Sequence, residues 1–212
     1  MFTRISLALF VLSTMYFPSQ PLPNPEPSLP TAVVWSPSTG KQAHIPIQQQ
    51  HSVLQNGQHL AVYEADVPSA VLASLVDSKQ KWDSSLSVKV TIWMYYDEFS
   101  YQNDTYVSIS KYETKWQRYD SSVSMSNASM NAGCMGDSWD GPAEECLPEN
   151  YANKSIGTPT SGTIYRLNPS WAGHYIYIGY QAGNSRVQLK RGPTTTWWLE
   201  ICIWKGSCGI DV

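Results

Sequence analysis

The chain has 212 residues, enough for one ordinary domain and a tail at the usual ~100–200 residues per domain. It carries 14 Lys+Arg against 17 Asp+Glu, and charged residues are only 15 % of it, so it offers no basic stripe for nucleic acid. A hydrophobic content of 42 % excludes a disordered chain, and no run reaches the ~18 apolar residues of a membrane span.

Residues 1–17 read as an export signal. Arg4 supplies the positive start, and residues 5–17 form a mostly apolar stretch too short to cross a bilayer. An uncleaved anchor and a core strand are the competing readings. No A-x-A pattern marks the cleavage site. Residues 18–30 then hold Pro18, Pro21, Pro23, Pro25, Pro27 and Pro30. Each ring fixes φ and removes a donor, so this segment is expected to be an extended spacer. Residues 31–212 are left as a single domain.

Residues 42–59 hold His44, His51, His59 and a run of three Gln, and read as a polar loop. Residues 33–35 and 59–63 have the makings of short strands. One short helix is expected near 67–79, with Asp66 as cap, Pro68 in its first turn and 71, 72, 75 and 76 on its apolar face. From Leu86 the period changes to two: Leu86, Val88, Val90, Ile92, Met94 and Tyr96 alternate with Ser87, Lys89 and Thr91. Residues 102–104 read as a loop, and 106–112, 116–119 and 122–125 as further strands, with Val107 and Ile109 inward. Residues 174–180 alternate again, Ala182-Gly183-Asn184 reads as a turn, and Val187 and Leu189 belong to a returning strand broken by Gly192-Pro193. Trp197, Leu199, Ile201 and Ile203 form a last inward row. This pattern predicts an all-β, antiparallel two-sheet sandwich, with a closed barrel as the alternative.

All four cysteines lie in the second half, at Cys134, Cys146, Cys202 and Cys208. An even count in an exported chain points to two disulfides, with three possible connectivities. Turn residues within the short segments favour Cys134–Cys146 and Cys202–Cys208. Pairing Cys134 with Cys208 closes a larger loop and stays open. Zinc is the rival use, but the spacing lacks paired C-x₂₋₄-C knuckles.

Catalytic signatures are absent: there is no G-x-S-x-G, H-E-x-x-H, P-loop or G-x-G-x-x-G. The best local constellation is Asp137, Asp140, Glu144 and Glu145, between Cys134 and Cys146. Four carboxylates in a closed loop could suit Ca²⁺ or a glycosidase pair, but the preferred reading is a solvated surface loop kept soluble by its charges. Otherwise no cofactor is expected. The best global constellation is aromatic. Nine Trp and 13 Tyr stand against four Phe, three of which fall in the signal. Trp93, Tyr95, Tyr106, Tyr112, Tyr175, Tyr177, Trp198 and Trp204 take the parity opposite the apolar rows, a face that is normally wet. Of these, Trp93, Tyr95, Tyr175, Tyr177, Trp198 and Trp204 are the candidate ligand-binding residues, because exposed indoles and phenols are contact groups. Three N-x-S/T sequons occur, at Asn103, Asn127 and Asn153, with Asn127 expected to point inward.

The preferred expectation is a secreted, disulfide-stabilised, non-catalytic binding module. Its partners would be cell-envelope polysaccharide or another extracellular protein. The alternatives are a secreted carboxylate-dependent hydrolase and a structural surface protein that assembles with itself.

Overall fold

A computed structural model describes residues 30–76, 86–134, 139, 151–177 and 181–203. The export signal, all of the proline-rich spacer but Pro30, the acidic loop residues Asp137, Asp140, Glu144 and Glu145, and Trp204, Cys146 and Cys208 lie outside the described residues.

The elements in chain order are β1 (Thr31–Trp35), β2 (Gln42–Ile45), β3 (Ile47–Val53), β4 (His59–Pro68), α1 (Ser69–Ser74), β5 (Leu86–Tyr101), β6 (Asp104–Arg118), β7 (Val123–Cys134), β8 (Tyr151–Gly157), β9 (Ile164–Leu167), β10 (Ile176–Tyr177), β11 (Gln181–Arg191) and β12 (Thr195–Ile203). Two antiparallel sheets pack face to face as a sandwich, and they do not close into a barrel. Sheet A runs β2-β1-β12-β11-β7-β8. Sheet B runs β10-β6-β5-β4-β3, with β9 placed beside β10 along the far edge of β6. The chain passes from sheet A to sheet B between Ile45 and Ile47, where Pro46 takes the corner that needs no ladder donor.

Alternation builds the core. Val88, Val90, Ile92, Met94 and Tyr96 of β5 meet Trp197, Leu199, Ile201 and Ile203 of β12 in one buried cluster. Helix α1 caps this core with Leu72 and Leu75, both buried. The buried Trp197 indole donates to the Leu72 carbonyl at 3.0 Å, and Thr39 Oγ1 donates to the Leu75 carbonyl at 2.6 Å. These two bonds meet orphan carbonyls of a very short helix.

Several expectations need correction. The segment 42–59 is not a loop. It forms β2 and the edge strand β3, with Ile47–Val53 laddered onto β4. Helix α1 is shorter than the expected 67–79 region and is capped by Pro68, without a side-chain bond. Asp66 does not cap it; its carboxylate reaches Lys89 at 3.7 Å on the outer face of sheet B. The expected strands 106–112 and 116–119 are largely one strand, β6. Within it Ser110 is an extra residue, since Tyr95 pairs with Lys111 and Tyr96 with Ile109. That bulge shifts the phase and turns Tyr112 into the core, where it is buried rather than outward-facing. Ala182-Gly183-Asn184 is not a turn but the middle of a ladder between β7 and β12. His174 precedes β10 in a turn, rather than starting a strand.

A second bulge, at Asn127 in β7, has the same effect. Its φ of 47° is a left-handed value that Asn tolerates. The inward row therefore moves from Val123 and Met125 to Ala128, Met130 and Ala132, and Asn127 is exposed rather than inward. Asn103, in the turn between β5 and β6, and Asn153 are exposed as well.

Candidate functional site

From Lys89 onward the odd residues of β5 belong to the outer face of sheet B. Trp93, Tyr95, Asp97, Phe99 and Tyr101 follow one another at every second position, about 6.5–7 Å apart. The even side of the same strand supplies the core. Strand β4 pairs with β5 only as far as His59 opposite Tyr96. Beyond that point the β5–β6 hairpin overhangs, and Phe99 and Tyr101 lie on the overhang.

At the overhang the rings gather. Phe99 stacks on Tyr106, its cross-strand partner, with centroids 5.3 Å apart, and meets Tyr175 edge-on at 5.0 Å. Trp139 sits within 5.5 Å of Phe99, 5.0 Å of Tyr106 and 4.7 Å of Tyr101. Its backbone N–H donates to the Tyr175 carbonyl at 2.7 Å, which ties the indole to the strand-β10 side of the sheet. The backbone of Tyr177 stands opposite Tyr106 in the register; its side chain lies outside the described residues. Trp139 remains 49 % exposed and Tyr101 45 %, although each is among the largest apolar side chains of the molecule.

Further down the same face, charge caps the rings. Lys111 Nζ lies 3.8 Å from the Tyr95 ring centroid, and Lys115 Nζ 5.4 Å from that of Trp93. Between them stands Glu113, whose side chain is only 8 % exposed. It accepts from Arg166 Nη2 at 2.7 Å, Arg166 Nε at 2.8 Å, Lys111 Nζ at 3.2 Å and the Tyr95 hydroxyl at 3.1 Å. Burial alone would push this carboxyl up. The bonds from Arg166, Lys111 and Tyr95 outweigh it and hold Glu113 below the usual carboxylate range.

Sheet A carries a second aromatic surface on its own outer face. Trp35 and Trp198 pair across β1 and β12 with centroids 6.3 Å apart and planes 22° from parallel. The Arg186 guanidinium lies over both, 4.0 Å from Trp198 and 5.0 Å from Trp35. Glu200, beside Arg186 in the register, is 5 % exposed. Burial pushes its carboxyl up, against an Asn184 amide that donates to it and the nearby Arg186 charge.

The sequence candidates thus divide between two faces. Trp93, Tyr95 and Tyr175 share the outer face of sheet B, while Trp198 lies on that of sheet A. Of the side chains now seen beside them, Phe99 and Tyr101 share the parity of Trp93 and Tyr95 and were findable on that signal. Trp139 joins by a long-range contact that no local pattern announces.

Among the described residues no group of three or more His, Cys, Asp or Glu stands together as a metal site. Among the described residues the buried carboxylates are Glu113 and Glu200, and they lie on the outer faces of different sheets. Among the described residues no helix is long and apolar enough to cross a membrane.

Cys134 pairs with Gln181, and Cys202 with Asn184, on either side of β11. One intervening strand and three residues of offset put their Cα atoms about 14 Å apart, twice the ~7 Å limit of a disulfide. Cys134 is also turned toward the core and Cys202 away from it. They are therefore not each other's partner, which removes one of the three connectivities.

No family model matches this chain, and neither a curated protein nor a solved structure matches it.

Proposed function

We propose that the protein is a non-catalytic binding module of the extracellular space that engages a polysaccharide chain through the outer face of sheet B. The observation that carries this reading is the five-ring cluster on the overhanging hairpin, in which Trp139 and Tyr101 stay about half exposed. Large aromatic groups left open to water in a cluster mark contact surfaces. A pyranose ring offers an apolar C–H face to such rings and hydroxyls to their polar tips. The stripe from Trp93 to Tyr101 spans about 26 Å along one strand, which suits an extended chain rather than a compact ligand. Asp97 and Asp104, on the same face of that hairpin, supply polar partners for hydroxyls.

The extracellular address rests on the N-terminal segment and the cysteines. An even count of four cysteines is the argument for disulfides. N-terminal sequencing and non-reducing peptide mapping of the secreted chain test both points.

The binding reading is tested by affinity electrophoresis in gels cast with soluble neutral and acidic polysaccharides. At least one is expected to retard the protein. Trp139→Ala and Tyr101→Ala should each weaken the retardation by about 10-fold or more, a loss of roughly 1.4 kcal/mol of contact. Both side chains are about half exposed and pack on neighbouring rings, so melting should fall by no more than about 1–2 kcal/mol, with the fold retained. An unretarded wild-type protein in every gel overturns the polysaccharide, and hairpin variants that migrate like wild type overturn the site.

A further inference from the structure

The edge of a sheet turns a row of backbone donors and acceptors toward whatever strand can reach it, and proteins blunt such edges with brevity, charge, proline or bulges. Among the described residues, three edges here are blunted. Strand β2, and β9 and β10 along the far side of β6, have four residues or fewer. Strand β8 is longer, but it carries Lys154 and skips Ile156 in its ladder to β7. The remaining edge, β3, has none of these devices. Its seven residues, Ile-Gln-Gln-Gln-His-Ser-Val, include no Lys, Arg, Asp, Glu or Pro. They pair with β4 one for one, from Ile47 opposite Ala65 to Val53 opposite His59. Gln49, His51 and Val53 take the inner side of the sheet with Tyr63 and Ala61, while Gln48, Gln50 and Ser52 take the outer side. Both sets are exposed, so β3 projects past sheet A, and another strand can reach it without meeting that layer. Among the described residues no strand pairs with this edge.

We propose that β3 is a dimer interface, on which β3 of a second copy pairs antiparallel about a two-fold axis through Gln50 and joins two sheets B into one. The strand is complementary to itself about that residue. Ile47 faces Val53 of the second copy, which covers a valine otherwise 63 % exposed. Gln48 faces Ser52 of the second copy. Gln49, hydrogen-bonded to His51 within its own strand, faces His51 of the second copy. Gln50 faces itself, with a side-chain amide that both donates and accepts. An axis normal to the sheet keeps inner side chains beside inner ones, as the pleat requires, and this register overlaps all seven residues. No like charges meet across the ladder. Because each copy presents the same strand to the other, the contact closes at two copies and does not propagate into a filament. The interface stands whether or not the hairpin cluster binds a polysaccharide.

Sedimentation velocity on the secreted chain, from about 1 μM to about 1 mM, tests it. A reversible dimer is expected within that range. Hydrogen exchange in residues 47–53 should be slower at the upper concentration than at the lower, because outward N–H groups gain acceptors. Gln50→Lys sets two ammonium groups against each other at the axis and should weaken the dimer about 5-fold or more, and Gln50→Glu should do the same with two carboxylates. An equimolar mixture of the two variants should associate again, since the charges then oppose in sign. Gln50 is exposed, so both variants should melt as wild type does. Trp139→Ala, on the hairpin, should leave the dimer intact. The proposal is overturned if the chain stays monomeric throughout, if exchange in 47–53 is independent of concentration, or if Gln50→Lys dimerises as tightly as wild type. It is equally overturned if the mixture associates no better than either variant, or if Trp139→Ala abolishes the dimer, which would assign the contact to the hairpin rings.

Discussion

Gly183 shows how one residue can be chosen by a neighbour distant in sequence. It lies mid-strand in β11, where a Cβ would sit 2.7 Å from Tyr112 Cε1 and 3.1 Å from Ile203 Cγ1. Tyr112 is buried, and its ring crosses from β6 onto sheet A over the glycine. The bulge at Ser110 is what aims that ring inward, so Gly183 and Ser110 are two halves of one packing arrangement. Gly183→Ala is expected to cost about 1–3 kcal/mol, since the ring edge is closed in and has nowhere to go. Thermal unfolding measures it. Tyr112→Phe removes the hydroxyl, which has no hydrogen-bond partner, but leaves the colliding edge. It should therefore be harmless alone and fail to rescue Gly183→Ala, whereas rescue would mean that the hydroxyl end carries the conflict.

At the scale of elements, period-two reading worked wherever a strand buries one face without interruption. The β5 row from Val88 to Tyr96 and the β12 row from Trp197 to Ile203 were legible for that reason. It failed at Ser110 and Asn127, because an extra residue flips every later side chain while leaving the composition unchanged. It also failed in β3, whose residues after Ile47 are all exposed, so Gln48-Gln49-Gln50 carries no alternation. That strand exists through its ladder to β4 and not through burial. The same limits governed the candidate site. Trp93 and Tyr95 could be read from parity, while the cluster around Trp139 depends on contacts between distant segments. Strand β9 is another element that local pattern does not reveal. Its four residues ladder onto β6, and Arg166 adds a bond to Glu113 at 2.7 Å and offers its carbonyl to Lys154 Nζ at 2.8 Å. Arg166→Ala is expected to cost about 1 kcal/mol, because the guanidinium is 58 % exposed and water replaces much of what is lost. Hydrogen exchange should show residues 164–167 losing protection while β5 keeps it. Equal loosening of both would mean that β9 is integral to the sheet rather than clipped onto it.

Over the whole molecule, two buried carboxyls bend the pH dependence of stability in opposite directions. Glu113 lies below its ordinary value of 4.5 when folded, so the unfolded chain binds the extra proton in the window between the two. Its contribution is complete above the unfolded value and is lost as pH falls toward the folded one. Glu200 lies above 4.5 when folded, so there the folded chain holds the extra proton. Its effect is absent below the unfolded value and subtracts from stability as pH rises through the folded one. Glu113→Gln should therefore be destabilising at neutral pH, by about 1–2 kcal/mol for charged hydrogen bonds whose cations are partly solvated, and should flatten the acid limb. Glu200→Gln keeps an oxygen that can accept from Asn184, and should be as stable as wild type in acid and more stable near neutrality. Melting temperatures of the wild type and both variants between about pH 3 and about pH 8 decide this. A Glu200→Gln protein that is less stable near neutrality would mean that Glu200 is ionised and held by Arg186. The guanidinium would then be committed to the carboxylate, and the outer face of sheet A would be an ion-paired surface.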